Sequence, residues 1–494
     1  MPTRHLRINT AAPDELKAAL DALAAELELP TAFSPEVLAE AEAAAEGAAL
    51  PAKDLTDLDL VTIDPPGARD LDQAVLIERD GDGHRIRYAI ASVGSFVRPG
   101  GALDEEVRRR AMTVYGPTGS VPLHPEVLSA GAASLLADQV APACVWDVRI
   151  DSTGEVRSSA VERALVRSRA QLTYDQVQDA LDGRAPLAEG VPADLPRLLA
   201  EVGRARQAQE VARGAVSLDL PEQVVELGDG GRYVLDSRTV LEVEGYNAQI
   251  SLLTGIVAAE MMLGAGVGVL RTLPPARGKD VAKLRRTAHA LGVPWPDGMT
   301  YPDLVRSVKA STPEGAAFLN EATALFRGAG YLALPVSPGE GGDDGEGGDV
   351  VSTQHAAIAS DYAHVTAPLR RLADRYGLEA CLAIAADTEV PGWVREALPE
   401  LPSAMGAGGR RASAYERGAV DAMEALVLRG REGEELRGVV VDVDEKKPQR
   451  GEVQVAEPAV HAVVEGEGLE LGAEVTVRVA EVDVQARKVR VEVV

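Results

Sequence analysis

Read for the alternation of apolar and polar positions, the chain changes period several times along its length. Leu16, Leu20 and Leu23 recur at helical spacing, and AEAAAEGAAL (41–50) consists mostly of strong helix formers, so residues 1–55 read as a short helical segment. From about residue 57 the period drops to two. Leu58, Leu60 and residues 61–63 lead into an acidic stretch. Residues 74–77 predict a strand, Asp80-Gly81-Asp82-Gly83 a turn, and Ile86, Tyr88 and Ile90 one face of the returning strand. Trp146, Val148 and Ile150 alternate with Asp147 and Arg149 before a turn at Ser152-Thr153-Gly154. Thr173 with Gln176 forms a capping box that opens a helix running through Leu181.

Residues 246–270 and 280–330 carry largely helical patterning, interrupted at 294–302. The glycine-rich, acidic stretch 337–350 reads as a disordered surface loop inside a domain. Helices resume after it, to about Leu428, with 391–435 as a helical connector. The last segment, 436–494, differs in kind. Residues 439–443, Val453 with Val455, 475–479 and 489–493 are short alternating strands between glycines and charged turns, the pattern of a small closed barrel of the OB type. The fold class predicted is α+β.

A chain of 494 residues is too long for one hydrophobic core. Its formal net charge of −27 argues against a nucleic-acid surface, although a local basic channel can sit inside an acidic shell. Cys144 and Cys381 are too few and too far apart in sequence for a disulfide framework or a zinc site, as in a reducing compartment. MPTRHLRINT has no apolar signal core, and the most apolar run, 252–270, contains four glycines and Glu260. These features predict a cytoplasmic protein with neither a membrane nor a protein partner.

The candidate chemistry lies in three stretches. In TIDPPGARDLDQA (62–74), Asp64, Asp70 and Asp72 crowd together while Pro65, Pro66 and Gly67 force the chain out of regular structure. Carboxylates aimed at one spot repel unless a cation is present, and magnesium takes hard oxygen ligands. The plainer reading is a solvated acidic turn. In SDYAHVTAPLRRLADRY (360–376), Arg370 and Arg371 stand at a helix start, where a cation opposes the helix dipole unless it reaches for a phosphate. The plainer reading is an Arg370–Asp374 pair across one turn. In VYGPTGSVPLHP (114–125), Tyr115 sits in a loop where it can stack on a base or be partly buried. His124 and His289 have no nearby partner in sequence, and His364 either orients the arginine motif or is packed.

In this order, these stretches resemble the catalytic domain of the ribonuclease II / ribonuclease R family (RNB domain). RYAIASV (87–93), TVYGPTGSVPLHPEVLSAGAASL (113–135), GAVSLDLPE (214–222), YAHVTAPLRR (362–371) and SAYERGAVDA (413–422) continue the likeness up to the C-terminal barrel. The resemblance implies a mixed α/β catalytic domain over 56–390 and 3′-to-5′ hydrolysis of single-stranded RNA to nucleoside 5′-monophosphates. It implies that Asp64, Asp70 and Asp72 hold Mg2+, for which Mn2+ can substitute, with Gln73 as a fourth, uncharged ligand. Asp72, Asp70, Arg370 and Glu416 would be catalytic. Tyr115, Arg370, Arg371 and His364 would contact RNA.

The sequence departs from the family pattern in several places. Gln73 stands where the family has a fourth aspartate, and Ala89-Ile90-Ala91-Ser92 replaces a His-Ile-Ala-Asp run. Two cold-shock-like barrels do not fit in 55 helix-patterned residues, and no lysine-rich tail follows Val494 to suggest duplex unwinding. Two further readings follow: a catalytically impaired module that binds single-stranded RNA, and a metal-dependent phosphodiesterase for small nucleotides.

Overall fold

Five strands close into a barrel in chain order: β1 (Leu60–Asp64), β2 (Gln73–Asp80), β3 (Gly83–Ala91), β4 (Val140–Ile150) and β5 (Val156–Thr173), with a separate small hairpin, Val114–Gly116 and Gly119–Val121, between the third and the fourth. Neighbours are antiparallel, and β1 seals the ring by lying parallel to β5. The structure is a computed structural model describing residues 6–8, 12–218, 222–227, 233–238, 240–309, 312–336, 352–444, 446–455, 457–458 and 460–494. The predicted loop at 337–350 and residues 219–221 of the GAVSLDLPE segment lie outside the described residues.

The two-residue period fixes the barrel's register. Tyr88 opposes Trp146 and Ile86 opposes Val148, and all four are buried. A one-residue slip would turn this set outward at about 1.5–3 kcal/mol per large side chain. Asp80 pairs with Gly83, so the turn is a two-residue loop of Gly81 and Asp82, tighter than the four residues predicted. Gly81 has φ +61°, which favours glycine there.

Helices α2 (Pro35–Gly47), α3 (Ala102–Arg110), α4 (Glu242–Ala265) and α5 (Leu372–Ala385) pack into the core of this barrel, while α1 (Asp14–Glu26) and most of α6 (Leu401–Leu428) lie in a second core. Leu16, Leu20 and Leu23 of α1 join a core shared with α6 and the C-terminal barrel. Gly418 lets α6 approach, since a Cβ there would come within 2.7 Å of Leu23. The helical reading of the N-terminus misses one element: Leu6–Ile8 is a strand lying parallel to Glu222–Leu227. The capping box predicted at Thr173 is present in both directions. By length and composition α4 would suit a bilayer, but more than half of its most apolar stretch is buried inside the protein.

The second barrel consists of β6 (Glu435–Val443), β7 (Arg450–Val455), β8 (His461–Glu465), β9 (Glu474–Asp483) and β10 (Lys488–Val493). It closes in the order β6-β7-β8-β10-β9, with Val440, Val453, Val464, Val477 and Val491 buried. The architecture is mixed α/β with a C-terminal OB-type barrel.

Candidate active site

Asp64 ends β1 and Gln73 begins β2, so the acidic loop bridges two adjacent barrel strands. Its backbone is tied down along its length. Gly67 takes φ +80° to make the turn. The Gln171 amide donates to the Ala68 carbonyl (2.7 Å), and Ser134 accepts from Leu71 N–H (2.9 Å) while donating to the Arg69 carbonyl (2.6 Å). Ala91 N–H of β3 donates to the Asp72 carbonyl (2.9 Å). A loop so bonded holds its carboxylates in place at low reorganisation cost.

Asp72 is 6% exposed. Its Oδ1 accepts from Leu369 N–H (2.8 Å) and its Oδ2 faces Arg370 Nε at 3.6 Å. Burial pushes this carboxyl up to about 8, against the opposing pull of Arg370 and the Leu369 N–H. Asp64 is half-buried; its Oδ2 is buried beside the Thr62 hydroxyl, which is itself without a partner at full bonding geometry, and burial raises the carboxyl to about 6 against the pull of that hydroxyl, with the charge of Asp70 adding to the rise. Asp70 is partly exposed and accepts from the Tyr115 hydroxyl at 3.3 Å.

The two arginines divide sharply. Arg371 is the residue before α5, with extended backbone (φ −139°, ψ 126°), and it grips fully buried Asp374 through Nε (3.0 Å) and Nη2 (2.8 Å). Asp374 therefore pairs with Arg371, and the predicted Arg370–Asp374 pair does not form. Arg370, 46% exposed at its side chain, points instead to Asp72. Its segment is pinned on both sides: Arg370 accepts from Thr113 N–H (3.0 Å) and Leu372 N–H donates to Ala111 (2.9 Å).

His124, which the sequence leaves without a partner, belongs to this scaffold. It is buried and its Nδ1 lies 3.0 Å from the Leu369 carbonyl. Burial lowers the imidazole to about 4, so the ring is neutral and Nδ1 carries the proton that it donates to the carbonyl. One residue, Leu369, thus connects His124 to Asp72, through its carbonyl on one side and its N–H on the other. A second residue the sequence reading passes over is Tyr174, the first of its helix. Its hydroxyl is raised to about 12, by burial first and then by the charge of Asp64. Nothing in its local sequence signals that neighbourhood.

Other predicted residues are not brought into the open site. His364 makes edge contacts with Tyr331 and Tyr362 and bonds the Tyr331 hydroxyl through Nδ1 (2.8 Å); burial, with Arg371 next, holds it well below its ordinary range. It is a packed histidine, and Arg371 is a structural arginine. Glu416 lies on α6 beside Tyr415, whose ring packs on Gly116 next to Tyr115. Burial raises Glu416, and neither Arg370 nor the aspartates are among the charges acting on it. Ser92 is buried and accepts from Arg163 Nε (2.9 Å), which also pairs with Glu379.

Of the ligands implied by the resemblance, Asp72 has Oδ1 bonded to Leu369 N–H and Oδ2 facing Arg370 at 3.6 Å, while both ends of the Gln73 amide are bonded, to Thr366 and Tyr88. Among the described residues no three His, Cys, Asp or Glu side chains gather closely enough to enclose an ion. What fits a cation is the pair Asp64 and Asp70, one with a buried oxygen lacking a donor at full bonding geometry. That suits magnesium, which commonly binds through one or two carboxylates together with water and substrate phosphate.

Comparison with known proteins shows the family. Residues 52–378 match the RNB domain, and residues 434–494 match the RNase II-type exonuclease C-terminal S1 domain. Ribonuclease R of Vibrio cholerae is 39% identical over 173 residues, 34% of this chain and 21% of that protein. Exoribonuclease 2 of Cronobacter sakazakii is 28% identical over 335 residues, 65% of this chain and 49% of that protein. The chain thus spans half or less of these curated relatives. The apo form of Mycoplasma genitalium RNase R superposes with TM-score 0.83 at 18% identity, covering 97% of this chain and 78% of that one. Yeast Ssd1, described as a pseudonuclease, shares the fold at TM-score 0.68 and 16% identity, covering 97% of this chain and 58% of that one, so fold alone does not decide chemistry. With an RNB match over most of its length and the S1 match at its end, the chain belongs to the RNB-domain family.

Proposed function

We propose that this chain is a magnesium-dependent exoribonuclease that shortens single-stranded RNA from the 3′ end and releases nucleoside 5′-monophosphates in the cytoplasm. The observation that carries the reading is the division of labour at 370–371. Arg371 satisfies Asp374, so Arg370 is left exposed toward the acidic loop, and an arginine so placed is suited to a phosphate. Two structures of Mycoplasma genitalium RNase R are complexes, one with ribose-methylated single-stranded RNA and one with double-stranded RNA, which supports RNA as the substrate class here.

Tyr115, exposed and bonded to Asp70, would stack on the terminal base and place the last phosphodiester between Asp70 and Arg370. Asp64 and Asp70 would hold the cation, which when bound supplies Lewis-acid activation of water and neutralises developing charge. Asp72 holds Arg370 in waiting. As a phosphate draws the guanidinium away, Asp72 Oδ2 is freed to face the attacking water. Arg370 then stabilises the charge that builds on the phosphoryl oxygens.

Mass spectrometry of the products tests the assignment. Nucleoside 5′-monophosphates released from a 3′-hydroxyl RNA are expected. Internal fragments or 2′,3′-cyclic phosphates would contradict it.

A further inference from the structure

Gln73 follows Asp72 directly, and its amide is turned into the protein. Nε2 donates to the Thr366 carbonyl at 2.6 Å, and Oε1 accepts from the Tyr88 hydroxyl at 2.6 Å. Ser251 Oγ of α4 lies 2.7 Å from the same hydroxyl. Thr366 offers only an acceptor, so the amide orientation is fixed: nitrogen must face it and oxygen must face Tyr88. Tyr88 is buried, and burial raises its hydroxyl, which keeps it a neutral donor.

The consequence lies in where the two tethers fall. Asp72 accepts from Leu369 N–H and Gln73 donates to Thr366. Adjacent residues of the acidic loop therefore hold the arginine segment on either side of Pro368, one as acceptor and one as donor. An aspartate at 73 is one carbon shorter and has no donor, so it leaves the Thr366 carbonyl without its partner in a part-buried place.

We propose that Gln73 is a positioning residue for Arg370 and not a metal ligand: its amide fastens residue 366 to the acidic loop and so fixes where Arg370 stands. The proposal rests on the hydrolase reading above. It inverts the simplest expectation, that an aspartate at 73 would complete the metal site and speed the reaction.

The test compares the unaltered 494-residue chain with Gln73→Asp and Gln73→Met, the latter keeping length while removing both bonds without adding charge. Mn2+ affinity is read from the paramagnetic resonance of free ion, folding from Tm, and reaction from kcat and KM on labelled single-stranded RNA. Both variants are expected to lose kcat by about 10- to 100-fold, the range typical of outer-shell partners. Mn2+ affinity should stay within about two-fold and KM within about three-fold, a split that general unfolding does not produce. Tighter Mn2+ binding or faster hydrolysis by Gln73→Asp would overturn the proposal, as would full kcat in Gln73→Met. Should Gln73→Asp not fold, Gln73→Met decides. A parent chain inert toward RNA would refute the hydrolase reading itself, and the Mn2+ comparison would still decide whether position 73 is a ligand.

Discussion

Replacing Asp72 by Asn should destroy hydrolysis while making the metal-free protein more stable. Asn keeps an oxygen for Leu369 N–H, so the 2.8 Å tether survives, but it cannot carry the charge that faces Arg370. The carboxyl of Asp72 has a folded value of about 8 against an ordinary 3.8. A group raised in this way contributes stability that is complete below the ordinary value and is lost as pH climbs toward the folded value. At about 1.4 kcal/mol per pH unit, the cost of Asp72 is about 2 kcal/mol at pH 5 and about 4 kcal/mol at pH 7. Asn does not titrate, so the gap between variant and parent should open over that window. Scanning calorimetry in EDTA should show Asp72→Asn melting about 3–6 °C higher than the parent at pH 7, with little difference near pH 4. Hydrolysis with Mg2+ should fall at least about 10³-fold, while RNA binding changes little. A variant that melts lower in EDTA at pH 7, or whose advantage does not grow with pH, would refute this account of Asp72.

Arg370→Ala should lower kcat by about 10²- to 10³-fold and, by removing the cation that faces buried Asp72, raise that carboxyl further and lower Tm modestly at pH 7. Arg371→Ala should destabilise the fold more, by about 3–5 kcal/mol, since it strands a buried carboxylate; urea unfolding separates the two. The Asp64 carboxyl stands at about 6, so protons compete with a cation below that pH. Mn2+ affinity measured by titration should weaken by up to about ten-fold per pH unit below about pH 6 and level off above about pH 7. His124→Asn keeps a donor near the position of Nδ1 and should retain most of the activity that His124→Leu loses, as single-turnover rates would show.

How much of this was legible in the sequence depended on how far apart the partners lie. The strands at 86–90 and 146–150 were readable because a two-residue period is local and both faces of the turn are nearby. Asp64, Asp70 and Asp72 stood out because three carboxylates sit beside Pro65, Pro66 and Gly67, which break regular structure. Arg370 and Arg371 could not be separated, because either lies within one turn of Asp374; the extended backbone at Arg371 decides it. Gln73 and His124 have partners 293 and 245 residues away, and no local pattern points to them. For the same reason Gln73 reads as a weakened ligand in sequence and as an internal tether in the fold. The strand Leu6–Ile8 has no local signal, because its partner, Glu222–Leu227, is more than 200 residues on.

The most direct test is to incubate the chain with a 5′-labelled single-stranded RNA and Mg2+ beside an EDTA control, and to resolve the products on a denaturing gel. A ladder shortening from the 3′ end, or collapse to a product of a few nucleotides, absent in EDTA, is the predicted result. An intact band in Mg2+, with the RNA still shifted on a native gel, would mean that the site binds RNA without cutting it and would contradict the account.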